Sequence, residues 1–171
     1  GIYPEIKAPW LFRHEGKDIS KAVLTVLKEY GYTGKSDKVY LQSFDVDELK
    51  RIDSELMPAL GMDLKLVQLM AETDWNETMV YDAKGKATPY DYDWMFKPGA
   101  MKTIAGYADG IGPWKPMIVT EPGTPGKPVF TAMVKEAHAA GLKVHPYTFR
   151  QDEGQIPPYA KDFTDLLNIF L

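Results

Sequence analysis

The stretch GIYPEIKAPW (residues 1–10) reads as a β-strand that ends in charge. Side chains alternate along a strand, so Tyr3, Glu5 and Lys7 point to one face and Ile2, Pro4 and Ile6 to the other. One face is aliphatic. The other carries an acid and a base two residues apart, just before the turn signal of Pro9. Such a tip suits the catalytic edge of an α/β enzyme. It equally describes a solvated ion pair on an ordinary surface strand, which contributes little.

Outward from that strand, the chain alternates between strand and helix patterns. In DISKAVLTVLKEYG (18–31), Ile19, Ala22, Val23, Val26, Leu27 and Tyr30 recur at helical spacing, and Gly31 is a stop. KVYLQSF (38–44) has the composition of a buried strand. DVDELKRIDSELMPALG (45–61) is a helix with Asp45 as its cap, Glu48 close to a capping box, and Leu49, Ile52, Leu56 and Leu60 inward. LKLVQLM (64–70) is a third strand, and a long aromatic loop runs from 71 to 97. PGAMKTIAGYA (98–108) is a helix, and DGIGPW (109–114) is a short strand and turn. IVTEPGTPGKPV (118–129) is a second loop. FTAMVKEAHAAG (130–141) is a helix, LKVHPYTF (142–149) a fifth strand and KDFTDLLNIFL (161–171) a last helix.

This alternation predicts a parallel sheet with right-handed crossovers, hence an α/β protein. The 171 residues suit one domain, 1–171, with a sizeable core. By length, a five-stranded doubly wound sheet fits better than a (β/α)8 barrel, which takes about 250 residues. No strand runs into a phosphate-binding glycine turn, however. A net charge of −4 leaves no basic footprint for nucleic acid. No apolar run approaches the roughly 20 residues of a membrane span. The absence of cysteine excludes disulfides and thiolate metal sites. Neither a leader nor an initial Met is present, so the expectation is a processed protein or a fragment.

In either architecture chemistry gathers at the carboxyl ends of the strands. Those ends carry Glu5 and Lys7; Gln42, Ser43, Phe44 and Asp45; Gln68 and Met70; Gly112, Pro113 and Trp114; and Tyr147, Thr148 and Arg150. A carboxylate is an oxygen ligand for a hard divalent cation, and a lysine is a point charge for phosphate. One carboxylate does not hold such an ion alone. Bland roles stand beside these: Phe44 in the core, Asp45 as a helix cap, Tyr147 as a core aromatic with its hydroxyl satisfied. His14, His138 and His145 are scattered without ligand spacing, and no serine sits in a G-x-S-x-G elbow.

GIYPEIKAPW, YGYTGKSDKVYLQSFD, GMDLKLVQL, TDWNET, YDWMFKPGAM, YADGIGP and VHPYTFR, in this order along the chain, resemble the secreted glycerophosphodiester phosphodiesterases of bacteria. The periplasmic, calcium-dependent type is the most similar. The resemblance covers essentially the whole chain. It implies a (β/α)8 TIM barrel, incomplete here at about five of eight β/α units, in place of the doubly wound sheet. It implies hydrolysis of glycerophosphodiesters such as glycerophosphocholine to sn-glycerol 3-phosphate and an alcohol. It makes Glu5 a ligand of a divalent cation, calcium with magnesium as the alternative. It sets Lys7 against the phosphate or the Glu5 carboxylate, and Gln42, Phe44 and Tyr147 in the substrate wall.

The family's H-R-G, H-D and T-D-x-P motifs do not occur in this sequence, and the resemblance sets no part of it against the family's E-x-D pair. No catalytic residue is therefore expected within the chain, which by itself should be inactive. The expected partner is a small glycerophosphodiester, in a periplasmic or secreted setting, without nucleic acid or a membrane span. Open barrel edges invite self-association. Two other readings remain: a non-catalytic binding or antigen module of the same fold, and a barrel glycosidase. The latter needs Asp74 or Asp45 to lie about 5 to 9.5 Å from Glu5.

Overall fold

The computed structural model describes residues 1–124 and 126–171. Its elements run α1 (Pro9–His14), α2 (Ile19–Glu29), β1 (Tyr40–Ser43), α3 (Val46–Arg51), a π-turn (Ile52–Leu56) and α4 (Met57–Leu60). Then come β2 (Lys65–Leu69), β3 (Met79–Tyr81), β4 (Ala87–Pro89), α5 (Ala100–Ile104), β5 (Gly110–Gly112) and α6 (Lys115–Ile118). The chain ends with β6 (Val119–Thr124), β7 (Lys127–Phe130), α7 (Met133–Ala139), β8 (Lys143–Val144) and α8 (Phe163–Phe170).

The central sheet is parallel throughout, in the order β1-β2-β5-β8. The opening stretch lies outside β1 and parallel to it, bridged at Ile2 to Val39 and at Glu5 to Gln42. Hydrogen bonds run from Ile2 to Lys38, Tyr40 to Ile2, Gln42 to Pro4 and Ile6 to Gln42. The rung absent from this ladder is the one Pro4 would donate, which is why the segment is two bridges rather than a regular strand.

Each strand sits beside its predecessor in sequence, whereas a doubly wound sheet reverses direction at a switch point. The sheet is also curled. In a flat sheet, four spacings of about 4.8 Å would hold residues 2–6 roughly 19 Å from the last strand. Yet Tyr3 of the first segment bonds to His145, just after β8, through its hydroxyl and Nδ1 at 2.7 Å. Tyr40 stacks edge-on against His145, with ring centroids 4.7 Å apart. This is an arc of a TIM barrel, an incomplete (β/α)8 fold.

The outer face of the arc packs against the helices. Ile6, Leu41, Leu66, Met70 and Ile111 from the sheet meet Leu24, Leu27, Leu49, Ile52, Met57 and Ile104 in one contiguous core. Burial of such side chains contributes about 1.5–3 kcal/mol each. Helix α2 is phased differently from the expectation: Ser20, Leu24 and Leu27 are buried, while Val26 and Tyr30 are exposed. Its inner stripe is the i, i+4, i+7 set through Leu24. In the second helix Met57 joins the core, because the π-turn before Pro58 shifts the face. Pro58 lacks an N–H and its ring would crowd the carbonyl four residues back, which the wider turn relieves.

Two segments expected as loops carry their own structure. Residues 71–97 form a 3-10 turn (Thr73–Trp75), the antiparallel pair β3–β4 and a second 3-10 turn (Asp93–Phe96), closed over buried Tyr92 and Met95. Residues 119–130 form the antiparallel pair β6–β7, with residue 125 of that expected loop outside the described residues. Pro9 opens α1 rather than a simple turn, after Ala8 in a left-handed conformation (φ 48°).

Candidate active site

Because every strand of the arc is parallel, the carboxyl ends share one rim. The first segment delivers Glu5 and Lys7 to it. Lys7 Nζ lies 3.6 Å from Glu5 Oε1 and 5.5 Å from the Phe44 ring centroid. Phe44 follows β1 and meets Tyr147 edge-on at 6.1 Å. Tyr147 is placed by the continuation of the β5–β8 pairing: it bridges Trp114, its N–H donates to the Pro113 carbonyl at 3.0 Å, and the Lys115 N–H donates to the Tyr147 carbonyl at 2.9 Å. Gln42 stands opposite Glu5 across the ladder, half-buried on the Tyr40 face of β1. Glu5, Lys7, Phe44 and Tyr147 are thus brought together by contact, with Gln42 beside Glu5 in the ladder.

The Tyr147 hydroxyl donates to the Met70 carbonyl, so the bland and functional readings both apply: the polar end is engaged while the ring faces Phe44. Burial pushes its phenol pKa up, and the nearby charges of Glu77, Glu5 and Glu72 push it the same way. Tyr147 is therefore a protonated wall and not a base. For Lys7, burial pulls the pKa down, but the hydrogen bond to Glu77 and the charges of Glu5 and Glu77 outweigh it, leaving the ammonium above its ordinary range. Lys7 is charged at any physiological pH.

Two residues of the expected rim have structural roles. Gln68 is fully buried on the outer face, where its Nε2 donates to the Phe44 and Leu69 carbonyls (3.1 and 2.9 Å) and its Oε1 accepts from the Tyr107 hydroxyl at 3.0 Å. Asp45 caps α3, its Oδ1 accepting from the Glu48 N–H at 2.9 Å, and pairs with Arg13 at 3.2 Å. Burial raises the Asp45 pKa against the pull of Arg13. Glu48 does not complete the capping box. Its buried carboxylate lies between the guanidiniums of Arg13 and Arg51, and Arg51 also holds Asp18. This network ties α1, α2 and α3 together beneath the rim. It also commits Asp45, one of the two acids a glycosidase reading would require.

Glu77 is the acid that the sequence reading missed. Its Oε2 accepts from Lys7 Nζ at 3.0 Å, nearer than Glu5. It lies 70 residues from Lys7 in an aperiodic excursion, so neither spacing nor periodicity singles it out. Only its place inside TDWNET pointed to that stretch at all.

Glu5 offers a hard oxygen donor of the type Ca²⁺ or Mg²⁺ takes, on a half-buried side chain facing the rim. Among the described residues, no group of three or more His, Asp or Glu is gathered in a metal-holding arrangement. A cation at this rim would take Glu5 as one ligand and would need further donors besides it. Among the described residues, no helix is long and apolar enough to cross a membrane.

The family model of the glycerophosphoryl diester phosphodiesterase family matches residues 1–167. A glycerophosphodiester phosphodiesterase of Haemophilus influenzae (strain ATCC 51907 / DSM 11121 / KW20 / Rd) is 52% identical over 172 residues, covering 100% of this chain and 47% of that protein. One of Treponema pallidum (strain Nichols) is 45% identical over 170 residues, covering 99% and 47%. One of Arabidopsis thaliana is 30% identical over 168 residues, covering 89% and 40%. The chain spans about half the length of these curated relatives.

Proposed function

Since the chain belongs to the glycerophosphoryl diester phosphodiesterase family, we propose that it supplies the cation ligand and the substrate wall of a site that hydrolyses glycerophosphodiesters. The observation that carries this is the Glu5–Lys7 pair at the strand rim, 3.6 Å apart, with Lys7 over Phe44 and Phe44 against Tyr147. In the reaction, a water oxygen bonds to phosphorus, the ester bond to the alcohol breaks, and the alcohol leaves with a proton. sn-Glycerol 3-phosphate remains.

Lys7 neutralises charge on the phosphoryl oxygens. The rings of Phe44 and Tyr147 exclude water from one side of the substrate, and Gln42 offers hydrogen bonds to its hydroxyls. Glu5 would hold a divalent cation, calcium by choice, which when bound withdraws charge from the phosphate. The histidine motifs that proton transfer in this family relies on are not among these 171 residues, so the chain by itself is inactive in our reading. Glycerophosphocholine represents the substrate class, and the periplasm or exterior is the expected setting.

The test is release of glycerol 3-phosphate from glycerophosphocholine, with calcium and with a chelator. We expect none from the chain by itself, and chelator-sensitive turnover once a segment carrying the H-R-G, E-x-D and H-D motifs is joined to it. Calorimetry supplies a second readout: calcium binding should weaken in Glu5→Gln. Turnover by the 171 residues unaided, or calcium binding indifferent to Glu5→Gln, would overturn the assignment.

A further inference from the structure

Lys7 is the least anchored member of the site. Its side chain is 63% exposed, on a flexible four-carbon stem whose ordering opposes any fixed pose by up to about 2 kcal/mol. A lysine that must meet a phosphate needs something to hold it. Its partner Glu77, by contrast, sits on a braced platform. Asn76 before it adopts a left-handed conformation (φ 57°), with its Nδ2 donating to the Asp74 carbonyl at 2.8 Å. Thr78 after it is buried, its hydroxyl paired with that of Tyr92 at 2.8 Å and its carbonyl accepting from the Tyr90 N–H at 2.9 Å. The Glu77 carbonyl itself accepts from Trp10 Nε1 at 3.1 Å. Tyr92 also donates to the Phe44 carbonyl at 3.1 Å, so one buried hydroxyl ties the Glu77 platform to the strand that carries Phe44.

We propose that Glu77 is a positioning residue: its carboxylate fixes the Lys7 ammonium beside Glu5 and over the Phe44 ring. This rests on the reading above, in which Lys7 meets the phosphate. One observation favours Glu77 over Glu5 as the anchor: its oxygen is the nearer, at 3.0 against 3.6 Å. On the proposed reading, a Glu5 whose oxygens faced a cation would have less to offer the lysine, leaving Glu77 as its partner. The excursion from 71 to 97 then has a definite task, which is to carry one carboxylate to a lysine far away in sequence.

A spectroscopic signature tests the positioning without any turnover. Held over Phe44, the Lys7 Hε protons are shifted upfield by the ring, and Phe44→Leu identifies that shift by abolishing it. Glu77→Gln preserves shape and the backbone bond to Trp10, and should remove most of the shift. Asp74→Asn, an exposed acid three residues earlier, should leave it intact. An unchanged shift in Glu77→Gln, or an equal loss in Asp74→Asn, would overturn the proposal.

Kinetics in a protein of the relatives' full length is the second arm. Glu77→Gln should lower kcat/KM on the order of 10-fold, and should have no further effect in a Lys7→Met background. Independent, multiplying effects of the two changes would overturn the proposal. If Lys7→Met leaves turnover untouched while the ring shift still depends on Glu77, the role of Lys7 at the phosphate falls and the anchoring by Glu77 stands.

Discussion

Removing the Tyr92 hydroxyl should loosen the platform beside the site without emptying the core. Tyr92 is fully buried, and its hydroxyl both donates to the Phe44 carbonyl and pairs with the Thr78 hydroxyl. In Tyr92→Phe the ring remains, so no cavity forms. The Phe44 carbonyl keeps its second donor, Gln68 Nε2 at 3.1 Å, and is not orphaned. Thr78, only 3% exposed, loses its side-chain partner. One buried hydroxyl left unsatisfied, plus one hydrogen bond lost to a carbonyl that retains another, amounts to about 2 kcal/mol. For a chain of this length that corresponds to a Tm lower by about 4–8 °C. Thermal and urea unfolding of the two proteins would measure it, with an unchanged m-value showing that the folded core is intact. Tyr92→Phe and Thr78→Val should also be sub-additive, because they share the interaction. A Tm loss under about 1 °C, or full additivity, would refute the reasoning.

Three further outcomes are expected. Glu48→Ala leaves two guanidiniums facing a vacated, buried position and should destabilise by about 3 kcal/mol or more, read by the same unfolding assays. Gly110→Ala would place a Cβ 3.0 Å from the Lys143 backbone oxygen, forcing β5 from β8, so it should destabilise by about 1–3 kcal/mol while Gly34→Ala, whose Cβ would meet nothing nearer than 3.8 Å, leaves the β5–β8 contact undisturbed; amide exchange in residues 143–147 would report the difference. Burial, aided by Lys143, holds the His145 pKa below its ordinary 6.5. The unfolded chain therefore binds more protons between that lower value and 6.5, so stability should fall as pH drops below about 6.5 and stay level above it; an NMR titration placing His145 at or above 6.5 would contradict this.

The alternation of elements, Asp45 as a cap, and the Glu5–Lys7 tip were all legible in residue order, because each depends on neighbours within a turn or a strand repeat. The helix faces were less so. Leu24 and Met57 are inward only because of where α2 docks and because Pro58 induces a π-turn. The two hairpins read as loops, since β3–β4 and β6–β7 are pairs of short strands whose pattern is too brief to carry a period. Gln68 looked like a rim residue and is an internal bracket, because alternation along β2 turns it toward Tyr107.

By itself, the sequence determined an α/β chain, its strand order in the chain, and the residue types at each strand end. Those follow from local periodicity and from motifs that survive reading in one dimension. Curvature was a different matter. Length favoured a doubly wound sheet, the resemblance implied an incomplete barrel, and the contact of Tyr3 with His145 across the arc bears the barrel out. The site likewise needed the third dimension: Lys7 acquires Glu77 and Phe44, and Phe44 acquires Tyr147, through packing between segments far apart in sequence. Such pairings arise from how helices and excursions settle against one sheet. No spacing along the chain encodes them.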